Sequence, residues 1–304
     1  MIKRPPKARL RYLRDAMMLF VLPGISLVLP WYIVFSFYKR LAHCSWLYRQ
    51  ETMVSLAGAK HAGLVSDDAD WAYSYRLMRL VDHADLYLTL SRGDGWMRRH
   101  LKLEGPGWPT LDRPFLAITF HWGSGLWGLR NLRAQGRDVA VLIRDMVQEP
   151  FQGQPIIKAY ARLRSWQTRH SGGAETILSN AGSLREIKKR VALGQNVVAL
   201  FDVPAEGKNN VCYGNFLGRH GVFPRGLSFA AARYGIPVVV YTTRVNIETG
   251  ERVLWVSEPV SSDDEDRLLG MLIYHLEHAV MSVPSHWHQW AGAEAFFPGP
   301  HRDA

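Results

Sequence analysis

The chain has 304 residues, 47% of them apolar, enough to bury one large core or two small ones. Its 37 lysines and arginines against 27 aspartates and glutamates give a formal charge of +10, so an acidic partner is expected: nucleic acid, an anionic membrane surface or an acidic carrier protein. Two cysteines, Cys44 and Cys212, exclude a disulfide framework, and no CxxC or histidine-rich cluster points to zinc, so no metal site is expected.

The N-terminus is the most biased part. "MIKRPPKARLRYLRD" carries Lys3, Arg4, Lys7, Arg9, Arg11 and Arg14 against Asp15 alone, and residues 16–37 then run without a charge up to Lys39 and Arg40. That run is long enough to cross about 30 Å of hydrocarbon. No small-residue cleavage site follows it, so a cleaved signal peptide is not expected. A true span with a cytoplasmic N-terminus would put the body outside. Basic flanks on both sides, with Pro23 and Pro30 inside, favour instead a kinked interfacial segment resting on anionic headgroups. A helical hairpin packed into a soluble fold is the third reading. The chain therefore divides into a basic, apolar, membrane-associating segment, 1–40, and a body, 41–304.

Residues 40–95 read as helices. Ser66, Asp67, Asp68 and Asp70 form a capped, acidic first turn, and Trp71, Tyr75, Met78 and Val81 follow at helical spacing, a packing stripe with no functional role expected. "HLKLEG" alternates like a short strand. From residue 114 strands and helices take turns. The strands are expected over 115–120, 139–143, 197–201, 237–242 and 252–256. The helices are expected over about 155–166, from a capping box at Ser183–Glu186, over "GLSFAAARYG" ending on Gly235, and over 263–282 from a box-like Ser262–Glu265. This alternation predicts an α/β fold, a mixed, mostly parallel sheet flanked by helices.

In such sheets functional groups collect at strand ends. His121, Arg144 and Asp202 each follow an expected strand, and together they supply a base, a cation and an acid. His121 is followed by Trp122-Gly-Ser-Gly125, whose glycines let a backbone or ligand approach closely. No carboxylate follows within the turn, which is unusual for a histidine base. Arg185, Lys188, Lys189 and Arg190 share one expected helix, a solvated face or a docking surface for an acidic carrier. "GNFLGRHGVFPRG" is a Gly/Arg loop, with Arg219 and Arg225, able to hold a phosphate. His286 and His288 read as packing near the C-terminus.

Several segments in order resemble the lipid A biosynthesis acyltransferases of the glycerolipid acyltransferase-like group: "LKLEGPGWPTLDRPFLAITFHWGSGLW", "TRHSGGAETI", "REIKKRVALGQNVVALFDVPAEG", "GNFLGRHGVFPRGLSFAAARYGIPVVV" and "LEHAVMSVPSHWHQW". The resemblance covers nearly the whole chain, including the basic apolar N-terminus. It implies transfer of an acyl group from an acyl carrier protein or CoA thioester to a hydroxyl of a lipid-like acceptor. It also implies no cofactor and a setting on an anionic surface at the cytoplasmic face of an inner membrane; nucleic-acid binding is not expected, because the basic residues flank an apolar segment and no recognition motif is present. His121 matches the base of the His-x-x-x-x-Asp/Glu motif, but Leu126 stands at the acid. Asp202 resembles the Asp of an Asp-Gln motif and is expected to orient His121, as Asp145 or a backbone carbonyl also could. Arg144 matches an electrostatic helper, Arg169 and Arg219 substrate-binding arginines, and Gly123 and Ser124 the substrate-facing turn. Oxyanion stabilisation is expected from Arg144 or turn N–H groups. The rival reading is a non-catalytic relative that binds an acyl chain, carrier or partner enzyme. Leu126 favours it, and a carboxylate within hydrogen-bond reach of His121 would count against it.

Overall fold

A computed structural model describes residues 6–143, 151, 153–171, 173, 175–180, 182–205 and 210–297. The N-terminal run is not one helix. It consists of α1 (Pro6–Ala16), a π turn (Met17–Val21), the single turn α2 (Leu22–Gly24) and a 3-10 turn (Ile25–Leu27). After a break at Pro30 comes α3 (Trp31–Leu41), and no helix among the described residues is long and apolar enough to cross a membrane. Pro30 cannot donate a backbone hydrogen bond, and it caps α3 with extended backbone. The two arms fold together: the Tyr38 hydroxyl donates to Leu22 O at 2.9 Å.

Both arms lie along a long helix. After α4 (Arg49–His61), α5 (Asp68–Ser91) starts at Asp67, whose carboxylate accepts from Asp70 N. Met18, Trp31, Val34, Phe35 and Tyr38 join Leu77, Met78, Val81, Ala84 and Leu88 of α5 in one buried cluster. Two single-residue expectations need correcting here. Ser183 is the first residue of its helix and caps nothing, and the 265–282 helix is capped by Asp264, which accepts from Asp266 N and Arg267 N.

Beyond α6 (Asp94–His100) the chain builds a seven-stranded sheet. The strands are β1 (Leu101–Glu104), β2 (Leu116–Thr119), β3 (Val139–Ile143), β4 (Glu175–Leu178) and β5 (Asn196–Leu200), with β8 (Val238–Val245) and β9 (Arg252–Val256) after a separate hairpin. The order is β1-β9-β8-β2-β5-β3-β4, every pair parallel except β8–β9. Helices α7 (Leu126–Ala134), α8 (Pro155–Ser171), α9 (Ser183–Ala192), α10 (Gly226–Tyr234) and α11 (Glu265–Ser282) complete the layers. Central β2 is buried on both faces, which is why it reads as an unbroken apolar run. Its pleat sends Leu116 and Ile118 into the core shared with α10 and α11, and Ala117 into the core beneath α7. The Gly/Arg stretch is not a loop: β6 (Val211–Phe216) and β7 (Arg219–Pro224) pair antiparallel.

One buried ion pair ties these layers together. Arg252 on β9 and Asp85 on α5 are both fully buried and paired. The Arg252 guanidinium also donates to Gly250 O and lies 3.9 Å from the Trp31 ring centroid. Removing one partner of such a pair leaves an uncompensated buried charge. Asp85→Ala is therefore expected to lose roughly 3–5 kcal/mol in denaturant unfolding. Asp85→Leu combined with Arg252→Met should lose far less, and an equal loss would contradict the account.

Candidate functional site

Parallel pairing of β2 with β5 sets Leu116 opposite Val197 and Thr119 opposite Leu200. Phe201 N then donates to Thr119 O at 3.0 Å, so the register continues past the strands and brings His121 beside Asp202. These are the C-terminal ends of adjacent strands, the edge where α/β sheets place their ligands.

Asp202 is fully buried and well satisfied. Its carboxylate accepts the His121 backbone N–H at 2.8 and 2.9 Å, His121 Nδ1 at 3.1 Å and the Trp287 indole N–H at 2.8 Å. A carboxylate only accepts, so Nδ1 carries the proton and the Nε2 lone pair is left for chemistry. The His121 side chain is 32% exposed, and no described residue is hydrogen-bonded to Nε2. Burial pushes the imidazole pKa down and Arg164 acts in the same direction, but the charge and hydrogen bonds of Asp202 outweigh both and raise it above its ordinary 6.5. A histidine–carboxylate pair in this arrangement can act as a general base.

The turn beyond His121 is held from two sides. His288 N donates to His121 O at 2.8 Å, Gly123 N to His286 O at 3.0 Å and Ser124 N to Thr243 O at 2.8 Å. Gly123 sits at φ +63, and a Cβ there would collide with Thr243 O, so only glycine fits. These ties correct the expected roles. The backbone N–H groups of 121, 123 and 124 are all engaged and cannot form an oxyanion hole. Gly123 O is taken by the His288 Nε2–H at 2.8 Å. Ser124 is fully buried and its hydroxyl donates to Asp85, so it is neither a substrate contact nor a nucleophile. Leu126 is buried in the first turn of α7.

The other expected residues are not brought together here. Arg144 and Asp145 lie outside the described residues. Arg169 is exposed in the last turn of α8, which leads into β4 and so lies toward the opposite edge of the sheet. Arg219 is not free for a phosphate: it forms two hydrogen bonds to the Glu294 carboxylate, at 3.0 and 3.1 Å, and covers the Phe297 ring. Arg225 is likewise paired with Glu265.

What the sequence reading missed comes from α5 and α8. The stripe read as packing is buried, but the same helix carries Arg79, Asp82, His83 and Asp85. Arg164 of α8 grips the Asp82 carboxylate at 2.8 and 2.9 Å. Burial disfavours the Asp82 anion, but Arg164 holds its carboxyl well below the usual range. Arg79 Nη1 lies 3.4 Å from His288 Nδ1, and the His83 Nδ1 and Tyr160 hydroxyl meet at 2.5 Å. Burial pushes His288 down to about 4, and burial keeps His83 well below its ordinary range too. Helical spacing signals a buried face; it carries no sign of which partner a charged residue on that face will meet.

His286 is different. It is fully buried against Trp122, both ring nitrogens lack a hydrogen-bond partner among the described residues, and burial pushes its pKa down to about 3.

The chain matches no family model and no curated protein in sequence. A solved structure similar to it is the 1-acyl-sn-glycerophosphate (LPA) acyltransferase PlsC from Thermotoga maritima, at 12% identity and a TM-score of 0.38, over 83% of this chain and 95% of that one.

The depressed pKa of His286 has a stability consequence. The unfolded chain binds a proton near pH 6.5 and the folded one only near 3, so stability is present above 6.5 and is lost as pH falls toward 3. His121 has the opposite sign: its contribution is full below 6.5 and fades as pH rises through its raised folded value. His286→Leu is expected to flatten the acid limb of stability against pH by about 1.4 kcal/mol per unit between pH 6 and 4. Denaturant unfolding across that range checks it, and an unchanged slope would refute it.

Proposed function

We propose that the chain is an acyltransferase that moves an acyl group from a thioester to a hydroxyl, with His121 as general base and Asp202 as its orienting acid. The observation that carries this reading is the His121 imidazole, bonded through Nδ1 to a buried carboxylate and presenting Nε2 at the sheet's functional edge. The order of family-like motifs supplies the reaction class. Asp202 lies within hydrogen-bond reach of His121 where Leu126 supplies no acid, and this supports the catalytic reading over a non-catalytic relative.

In this mechanism Nε2 takes the proton of the acceptor hydroxyl as its oxygen attacks the thioester carbonyl. Asp202 stabilises the imidazolium that forms and keeps the ring oriented. Collapse of the tetrahedral intermediate forms the ester and breaks the carbon–sulfur bond, and the imidazolium returns the proton to the leaving thiolate. With Ser124 buried on Asp85, transfer is direct and passes through no acyl-serine. An acyl carrier protein or CoA thioester as donor, a lipid-like hydroxyl as acceptor, and an anionic inner-membrane surface facing the cytoplasm complete the reading. The apolar N-terminal arms, with Leu10, Leu13, Val21 and Tyr32 exposed, support that setting.

The test is acyl-thioester turnover by the detergent-solubilised protein with a membrane-lipid extract as acceptor. Wild type should form acylated product, and His121→Ala should lower the rate about a hundredfold or more. Equal rates in both, or none in either, would return the chain to the non-catalytic reading.

A further inference from the structure

A second polar cavity lies away from His121, where the ends of α5 and α8 meet α7. It holds about 300 Å3 and is lined by Arg92, Asp94, Arg130, Arg133, His170 and Ser171, among others. Elsewhere on the described surface Arg190, Arg219, Arg225 and Arg244 are each paired with a glutamate, while Arg113 and Arg137 donate to backbone carbonyls. In this cavity three guanidiniums face one carboxylate, and only Arg130 uses it, at 3.1 Å.

The other two arginines are held by neutral carbonyls, which orient a guanidinium without cancelling its charge. Arg92 Nη2 donates to Ser26 O and Leu27 O at 3.0 and 3.3 Å, and its Nε is buried with no partner among the described residues. Arg133 Nη1 donates to His170 O at 2.7 Å while the residue is exposed. Arg130 is fixed a second time, on Thr89 O at 2.8 Å. Oriented guanidiniums with unused donors suit a phosphate group, which accepts bidentate hydrogen bonds.

The carbonyls that hold Arg92 belong to the apex of the N-terminal arms. That apex exposes Leu27, Val28 and Leu29, with Tyr32 and Ile33 on the next turn, and Val28 is 82% exposed. Exposed aliphatic side chains thus adjoin an arginine-lined cavity, the arrangement that an acyl chain and its phosphate headgroup would together occupy at a bilayer interface. A free phosphate would make no use of the apolar apex.

We infer that Arg92, Arg130 and Arg133 form a docking pocket for the phosphate headgroup of an anionic phospholipid, with the Leu27–Leu29 apex inserted beside it. The inference rests on the interfacial setting given under the proposed function, but is independent of the chemistry at His121. The pocket fixes which end of the N-terminal arms meets the bilayer.

The experiment is co-sedimentation of the full chain with phosphatidylcholine vesicles, with and without phosphatidylglycerol. Phosphatidylglycerol should tighten binding. Arg130→Gln with Arg133→Gln should weaken that binding about thirtyfold, the change expected for two basic residues at a charged surface. Lys188→Gln with Lys189→Gln, an equal charge loss on exposed residues of α9, should change it far less. Val28→Asp, at a position too exposed to disturb folding, should abolish binding to both vesicles. Equal weakening by the two double variants would overturn the pocket in favour of diffuse charge. Vesicle binding displaced by inorganic phosphate only in the wild type would support it. Stabilisation by inorganic phosphate without any vesicle binding would overturn the lipid assignment and the interfacial setting together, whereas binding insensitive to Arg130 and Arg133 would overturn the pocket alone.

Discussion

The site depends on one buried carboxylate. Asp202, just beyond β5, receives the backbone N–H and the ring Nδ1–H of His121, just beyond β2, and the indole N–H of Trp287 from the C-terminal segment. Three stretches that are remote in sequence therefore share a single acceptor. A buried carboxylate is tolerated only when its hydrogen-bonding capacity is filled, and these donors fill it. Because one of them is the His121 backbone, the ring is constrained at two points. That is the preorganisation a base needs if its rotamer is not to drift.

A second buried group secures the other side of the same turn. Ser124 donates to Asp85, Asp85 pairs with Arg252, and Arg252 lies against Trp31 of the N-terminal arm. The turn after His121 is thus fixed to α5 and to β9, and through Arg252 it abuts the N-terminal arm. A residue expected to face substrate turns out to brace the loop, and this explains why a serine beside a histidine is not the nucleophile here. In the same turn the N–H groups of 121, 123 and 124 are tied to Asp202, His286 O and Thr243 O. Burial and the charge of Arg164 lower the His121 pKa, and the charge and hydrogen bonds of Asp202 outweigh both.

Much of this fold is readable from the chain because parallel strands buried on both faces appear as short unbroken apolar runs. β2, β3, β5, β8 and β9 all fall on expected runs within a few residues. β4 escapes because it is a four-residue edge strand exposed at Glu175 and Leu178. The β6–β7 hairpin escapes because three glycines interrupt its alternation. Of the site, His121 and Asp202 are legible as polar residues ending apolar runs, but their pairing is not, since nothing local says that β5 lies next to β2. Trp287, His288, Arg79 and Arg164 are illegible for the same reason: they reach the site through tertiary packing and follow no shared spacing. The N-terminal run misleads about length, because a charge-free stretch interrupted by Pro23 and Pro30 has the residue count of a span and the geometry of two short arms.

The most direct test of the His121–Asp202 pair is the pH dependence of acyl-transfer turnover in wild type and Asp202→Asn, with matched melting temperatures to exclude misfolding. The account predicts a wild-type acid limb with an apparent pKa above 6.5, as the base loses its proton. In Asp202→Asn that limb should move to lower pH and the plateau should fall by roughly 10²–10⁴. An Asp202→Asn protein that keeps both the wild-type plateau and the wild-type acid limb would contradict it.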